Sequence, residues 1–156
     1  MEPFGTAIFC DDIRFESFNK VSLIGVYGYE LVLFGSFPAS LPKLGIFSSV
    51  RFHKTRQLAG AEMRVYFPGD SQETPSHSQH LPVELNPEEF PLPELAEYPD
   101  PSEFYGFNHP FLFSPVVIKH AGYIRVRAVA GDMTVKVGSL KVREAGPEEN
   151  RTNDGG

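Results

Sequence analysis

The chain holds few residues whose types and spacing could do chemistry, and each has a plainer reading beside it. His77-x-x-His80 has a spacing that can hold a metal ion. It lies in a Ser/Pro/Gln-rich stretch with no cysteine nearby, whereas structural zinc takes four N or S ligands. Glu73, His109 or His120 would have to be brought in by the fold to complete a site. His53 and His120 read as surface or hydrogen-bonded residues at strand ends. The adjacent acids Asp11-Asp12 and Glu88-Glu89 invite a paired-carboxylate reading. Neighbours in a strand face opposite sides, so Asp11 and Asp12 cannot serve one substrate unless a bulge intervenes, and Glu88-Glu89 reads as loop surface. A calcium site would need carboxylates gathered at one end of the molecule; Asp70, Asp100 and Asp132 are the loop aspartates that would supply them. Cys10 is the single cysteine, and no local histidine or basic context lowers its pKa. It reads as a small buried residue rather than a nucleophile. No serine stands in a nucleophile elbow, and no glycine-rich phosphate loop precedes a helix. The expectation is a non-enzyme, with no catalytic residue, no metal and no cofactor.

The elements that would position these residues are strands. From Ala7 to Phe34 three apolar runs rich in Ile, Val, Phe and Tyr are separated by turn residues. In the first, Phe9, Ile13 and Phe15 select the core face. That choice places Asp11 inward, at a cost, unless a bulge at residues 10–12 turns it out or a neighbouring loop donates hydrogen bonds to it. Ser17-Phe18-Asn19-Lys20 closes a hairpin, with Asn19 suited to positive φ. Val21–Tyr27 is nearly all apolar and is expected to be central and covered on both faces, with Gly25 marking a bulge or a close approach. Tyr29–Phe34 reads as the third strand, and Phe37–Pro42 as a crossing loop in which Leu41, with Leu44 beyond, plugs the end of the fold. Residues 46–54 and 61–67 read as further strands, and Val116–Lys119 as a short one. The clearest hairpin is Tyr123–Ala130, Gly131-Asp132 and the strand from Met133. There Arg125, Arg127 and Lys136 point outward, and Gly138-Ser139 shifts the phase so that Leu140 and Val142 turn inward.

Length and charge bound the rest. At 156 residues the chain makes one domain, here residues 1–145, with 146–156 a polar, disordered tail. No stretch approaches the ~20 continuous apolar residues of a membrane span, and Met1–Gly5 carries no signal-like pattern, so a cytoplasmic location is expected. The net charge of −6 argues against nucleic acid as a partner. The charge is unevenly placed. Nine of the 20 acids and none of the 14 bases fall between Val65 and Ile118, leaving 11 acids with all 14 bases elsewhere. Ten of the 14 prolines lie between Pro68 and Pro115, which breaks regular structure there and makes residues 68–115 a long acidic excursion. Its aromatic residues Phe90, Tyr98, Phe104, Tyr105, Phe107, Phe111 and Phe113 are too apolar to be left in water. They are expected to dock on the sheet or to meet a partner, and they form the candidate interaction surface.

Ala7-Ile8-Phe9-Cys10-Asp11-Asp12-Ile13-Arg14-Phe15-Glu16, Asn19-Lys20-Val21-Ser22-Leu23-Ile24-Gly25-Val26-Tyr27 and Leu41-Pro42-Lys43-Leu44 together carry a likeness. They resemble a family of small uncharacterised bacterial proteins, a domain of unknown function with the pattern D-D-I-R-x-E, G-K, L-I-G-V-Y and L-P-x-L. The likeness covers about 40 residues well and the last hairpin loosely. Asn19 departs from the family's glycine, and the acidic excursion lies outside the pattern. The resemblance implies a bacterial, β-rich, cytosolic protein and no reaction. Within it, Asp12, Arg14, Glu16 and Lys20 form a polar patch, read either as an ion-pair and turn network fixing the first hairpin or as a recognition surface. Asp154-Gly155-Gly156 is similar to the diglycine end of ubiquitin-like modifiers, on a tail where a chance Gly-Gly is the simpler account.

The expected fold is all-β: a two-sheet antiparallel sandwich of immunoglobulin-like or C2-like build, with about eight strands and one long Pro-rich loop. The expected role is a protein-binding module. The alternative is a structural subunit of a homo-oligomer or larger complex, with a metal-dependent enzyme or a calcium-binding C2-like domain behind both.

Overall fold

The computed structural model describes residues 2–53, 58–82 and 104–153. They form eleven strands and one short helix: β1 (Phe4–Phe15), β2 (Val21–Val26), β3 (Glu30–Leu33), β4 (Ala39–Leu41), β5 (Leu44–His53), β6 (Glu62–Tyr66), β7 (His77–His80), β8 (Phe104–Phe113), β9 (Val116–Ile118), β10 (Gly122–Ala130), β11 (Met133–Glu144) and α1 (Pro147–Asn153). The all-β expectation holds. The strands make a four-stranded sheet in the order β2-β1-β5-β8, a five-stranded sheet in the order β3-β11-β10-β6-β7, and a β4-β9 pair. None of the three closes on itself. Pairing is antiparallel throughout except that β3 runs parallel to β11.

Alternation explains which sheet faces are buried. In β5, Leu44, Ile46, Ser48, Val50 and Phe52 are buried, while Phe47, Ser49, Arg51 and His53 stay partly exposed. Ser48 is the buried polar residue among those described, and its hydroxyl donates to the His109 carbonyl at 2.7 Å. In β10 and β6 the buried set is Ile124, Val126, Ala128, Ala130, Met63, Val65 and Tyr66. Residues from both larger sheets belong to one hydrophobic cluster, and each large side chain in it contributes roughly 1.5–3 kcal/mol by leaving water. Closeness is set by Gly138: a Cβ there would lie 2.7 Å from the Ala7 Cβ, so β11 can lie against β1 only because this position has no side chain. The same glycine sits at the expected phase shift. Val126 pairs Gly138 while Arg127 pairs Lys136, which leaves Val137 as the extra residue; Val135, Val137, Leu140 and Val142 all face inward.

Several expectations are corrected. Val21–Val26 is the edge of its sheet, not a central strand, because β1 alone pairs with it; its residues are partly or fully exposed. Phe15 is 67% exposed rather than in the core. β5 pairs with β1 only as far as Cys10, so the rest of the β1–β2 hairpin projects past the β5 ladder. The Phe37–Pro42 loop contains β4, which pairs with β9. Within the excursion, His77–His80 pairs with β6, and Phe104–Phe113 pairs along all of β5; Pro110 fits because β8 is an edge strand. The tail is not disordered through residue 153, since 147–153 is helical.

Arg143 explains that helix. Its guanidinium takes Glu30 at 2.8 Å on one side and Glu149 at 2.8 Å on the other, clipping α1 to β11 and β3. Glu149 also accepts from the Gly146 N–H at 2.7 Å, at the helix start.

Candidate interaction site

The β1–β2 hairpin builds the most exposed apolar surface among the described residues. Glu16 N–H donates to the Lys20 carbonyl at 2.8 Å, closing a turn in which Phe18 and Asn19 both take positive φ, 60° and 57°. Asn19 does so as the sequence predicts. Phe18 is the anomaly, since a bulky residue is rarely held in the left-handed region, and this one is also 93% exposed. Along the same hairpin Phe15 is 67% exposed, and Ile24 and Val26, farther from the turn opposite Asp12 and Cys10, are exposed as well. The register places Val26 in one row with Cys10, Gly45 and Leu112, and Ile8 in the next with Phe47 and Pro110. Leu112, Ile8 and Phe4 are exposed as well, so the same face of the four-stranded sheet carries separate apolar side chains, with the row of Thr6, Ser49 and Asn108 between Ile8 and Phe4.

Polar contacts hold the projecting hairpin. Lys43 reaches Asp12 at 3.1 Å and keeps that carboxyl below its ordinary pKa. The Asp12 carboxylate also accepts from the Ile13 N–H at 2.9 Å. Ser22 donates to Glu16 at 2.9 Å across the strands. Asp11 is neither buried nor unsatisfied: its carboxylate lies over Gly25, where any Cβ would collide with it, and it accepts the Tyr27 hydroxyl. Gly25 is therefore the close approach that the sequence marks. Burial, with the Asp11 charge behind it, pushes the Tyr27 hydroxyl well above its ordinary value, so it stays a donor. Cys10 is fully buried, and that burial raises its pKa. The thiol faces the Gly45 carbonyl at 3.6 Å, as the small buried packing residue that the sequence suggests.

Of the expected polar patch, Asp12 and Glu16 act as braces of this hairpin, and Lys20 ends the turn. Arg14 is exposed opposite Ser22. The aromatic surface expected from the excursion divides differently. Phe111 is buried in the core at 3% exposure, and Phe107 and Phe113 pack against it. Phe104 and Tyr105 open β8, where only their backbone is described, and Phe90 and Tyr98 lie outside the described residues. Phe111 and Phe113 are thus spent inside the fold, because β8 pairs in register with β5 and turns its odd-numbered residues toward the core.

The histidines do not converge on a metal. His77 stands edge-on to Phe111 and Phe113 at 5.5 and 5.6 Å, while His80 faces Glu62 at 3.7 Å. Burial, with His77 nearby, holds His109 below its ordinary value. Among the described residues no three His, Cys, Asp or Glu side chains are grouped to hold an ion. Asp70, considered for calcium, instead accepts from the Phe67 N–H at 2.8 Å, the Ser76 N–H at 2.9 Å and the Ser76 hydroxyl at 2.6 Å, which fixes the turn after β6. A shallow, open pocket lies between Phe67, Pro68 and Gly122 with Arg125 at its side; no nucleophile or acid–base pair lines it. No described helix is long and apolar enough to cross a membrane.

Sequence reasoning missed the hairpin tip. The signal was Phe18 itself, a large aromatic between Ser17 and Asn19 in a stretch that must turn. No family model, curated protein or solved structure matches the chain, so its site is read from its own residues.

Proposed function

We propose that the protein is a non-enzymatic interaction module that docks another protein on the β1–β2 hairpin and the outer face of the four-stranded sheet. The observation that carries this is Phe18, which is strained in its backbone and exposed in its side chain, so the isolated fold gains nothing from it. Strain of this kind concentrates where function requires it. The β2 edge adds main-chain groups free for strand addition beside apolar side chains. We take the two larger sheets as the layers of a sandwich of immunoglobulin-like or C2-like build, which would leave this hairpin at one end as a docking finger. A cytoplasmic setting suits the lone buried thiol.

The test compares capture of a partner from cell extract by the wild-type protein, Phe18→Gly and Val26→Lys. The expected result is a discrete partner held by the wild type and lost by both variants while their thermal unfolding stays cooperative. Equal capture by all three would remove this surface from consideration. The second reading, an assembly subunit, is favoured by the β2 edge, because an antiparallel strand edge is self-complementary about a two-fold axis. Light scattering showing a dimer that Val26→Lys dissociates would select it.

A further inference from the structure

The outer face of the five-stranded sheet carries a different signal. Arg127 pairs with Lys136 on one side and Arg64 on the other, so three cations stand in one row across β11, β10 and β6. With strands about 4.8 Å apart, the row spans roughly 10 Å. Arg125 lies on the same face two residues along β10, and Tyr123, 53% exposed, two further, opposite Lys141. Like charges placed directly opposite destabilise a sheet, so folding does not explain the row.

Four described carboxylates around this sheet are already committed. Glu62 holds Arg64 at 2.8 Å, Glu30 and Glu149 hold Arg143, and the Asp70 carboxylate is turned into its own loop. Arg127 spends one nitrogen on the Val126 and Gly138 carbonyls, and Arg125 donates to the Asp70 carbonyl while resting over Tyr66. Each guanidinium has five donors, so both keep N–H groups to offer.

We infer that this face binds single-stranded nucleic acid, with phosphates along Lys136, Arg127 and Arg125 and a base stacked on Tyr123. Two features favour it over an acidic peptide. The strand β10, which carries Arg125 and Arg127, is paired on both sides, so a peptide cannot add there as a strand. An exposed aromatic beside cations on a sheet face is a stacking platform, which a peptide of acids does not need. The net charge of −6 is a sum over the whole chain, whereas the pairing gathers Lys136, Arg127 and Arg125 on one face.

The experiment is fluorescence anisotropy with an end-labelled single-stranded oligonucleotide of about 12 nucleotides, a length within the range of known single-strand sites, titrated from about 50 to 200 mM salt. About three neutralised phosphates would give a slope of log K against log salt near −2. Lys136→Gln should reduce that slope by about 0.7, and Tyr123→Ser should weaken binding about tenfold at every salt concentration. Both positions are exposed, so circular dichroism and thermal unfolding should match the wild type. Absence of binding at low salt overturns the proposal, as do both variants binding like the wild type. Poly-glutamate of equal charge binding as tightly as the oligonucleotide would also overturn it, by showing a general anion surface.

Discussion

The two larger sheets share one hydrophobic cluster and treat solvent in opposite ways. The five-stranded sheet dresses its outer face with Arg64, Arg125, Arg127, Lys136 and Lys141. The four-stranded sheet leaves Phe4, Ile8, Val26 and Leu112 there, and projects Phe15 and Phe18 beyond its end. A solvated antiparallel sheet is expected to look like the first. The second departs from that rule at several positions and at a strand edge, where natural proteins place charges, prolines or bulges against unwanted pairing. The edge strand β2 has only the left-handed Gly25 as such a device. Inner faces are fixed by the fold's need for a core, and outer faces are free to differ, which is why the two sheets contrast there.

The comparison breaks first if the core is not shared. Phe52→Ala in one sheet and Met63→Ala in the other, both fully buried, should each cost about 2–5 kcal/mol. Urea unfolding should remain a single transition in both variants. Two separated transitions would show the sheets to be independent. Gly138→Ala probes the spacing between them and should cost about 1–3 kcal/mol, because β1 backbone and the Ala7 methyl stand in the way; an unchanged midpoint would mean that the sheets part easily there.

The outer surfaces should respond with the opposite sign or hardly at all. Phe18→Gly should raise stability by up to about 1 kcal/mol by relieving the left-handed backbone, and clear destabilisation would show Phe18 packing into the fold. Val26→Lys should change it by no more than about 0.5 kcal/mol, while lowering any tendency to associate.

The last contrast is local and depends on pH. Arg143, then the Gly146 N–H, draws the Glu149 carboxyl from its ordinary 4.5 down to about 2. A depressed carboxyl contributes fully above its ordinary value, and the contribution is lost as pH falls through the folded value. Helix α1 should therefore stay clipped at pH 5 and release as pH approaches 2, as followed by the Gly146 amide in NMR. Titration of Glu149 at its ordinary value would remove the clip.

Much of the fold was legible along the chain. The hairpin of β10 and β11 with its phase shift at Gly138, the turn at Asn19 and the buried Cys10 follow from local pattern and turn chemistry. The rank of each strand within its sheet was not legible. Val21–Val26 reads as central because an all-apolar run ordinarily has two covered faces, and nothing in the run itself says that the second cover is missing. For Phe111 and Phe113 the chain left two outcomes open, docking on the sheet or meeting a partner, because the prolines around them hide the strand that pairs with β5; the first outcome holds. The site moved accordingly, from the excursion's aromatic residues to the hairpin edge.

What the sequence determined alone is the period-2 alternation, and with it the all-β class and most of the buried side chains, since alternation is a local property of an extended backbone. The tertiary structure decided which strand stands at an edge and which cations share a row. Both depend on pairing between residues far apart in the chain: Arg64 meets Arg127 only once β6 and β10 lie side by side, and Phe15 stands past the β5 ladder because β5 stops pairing at Cys10.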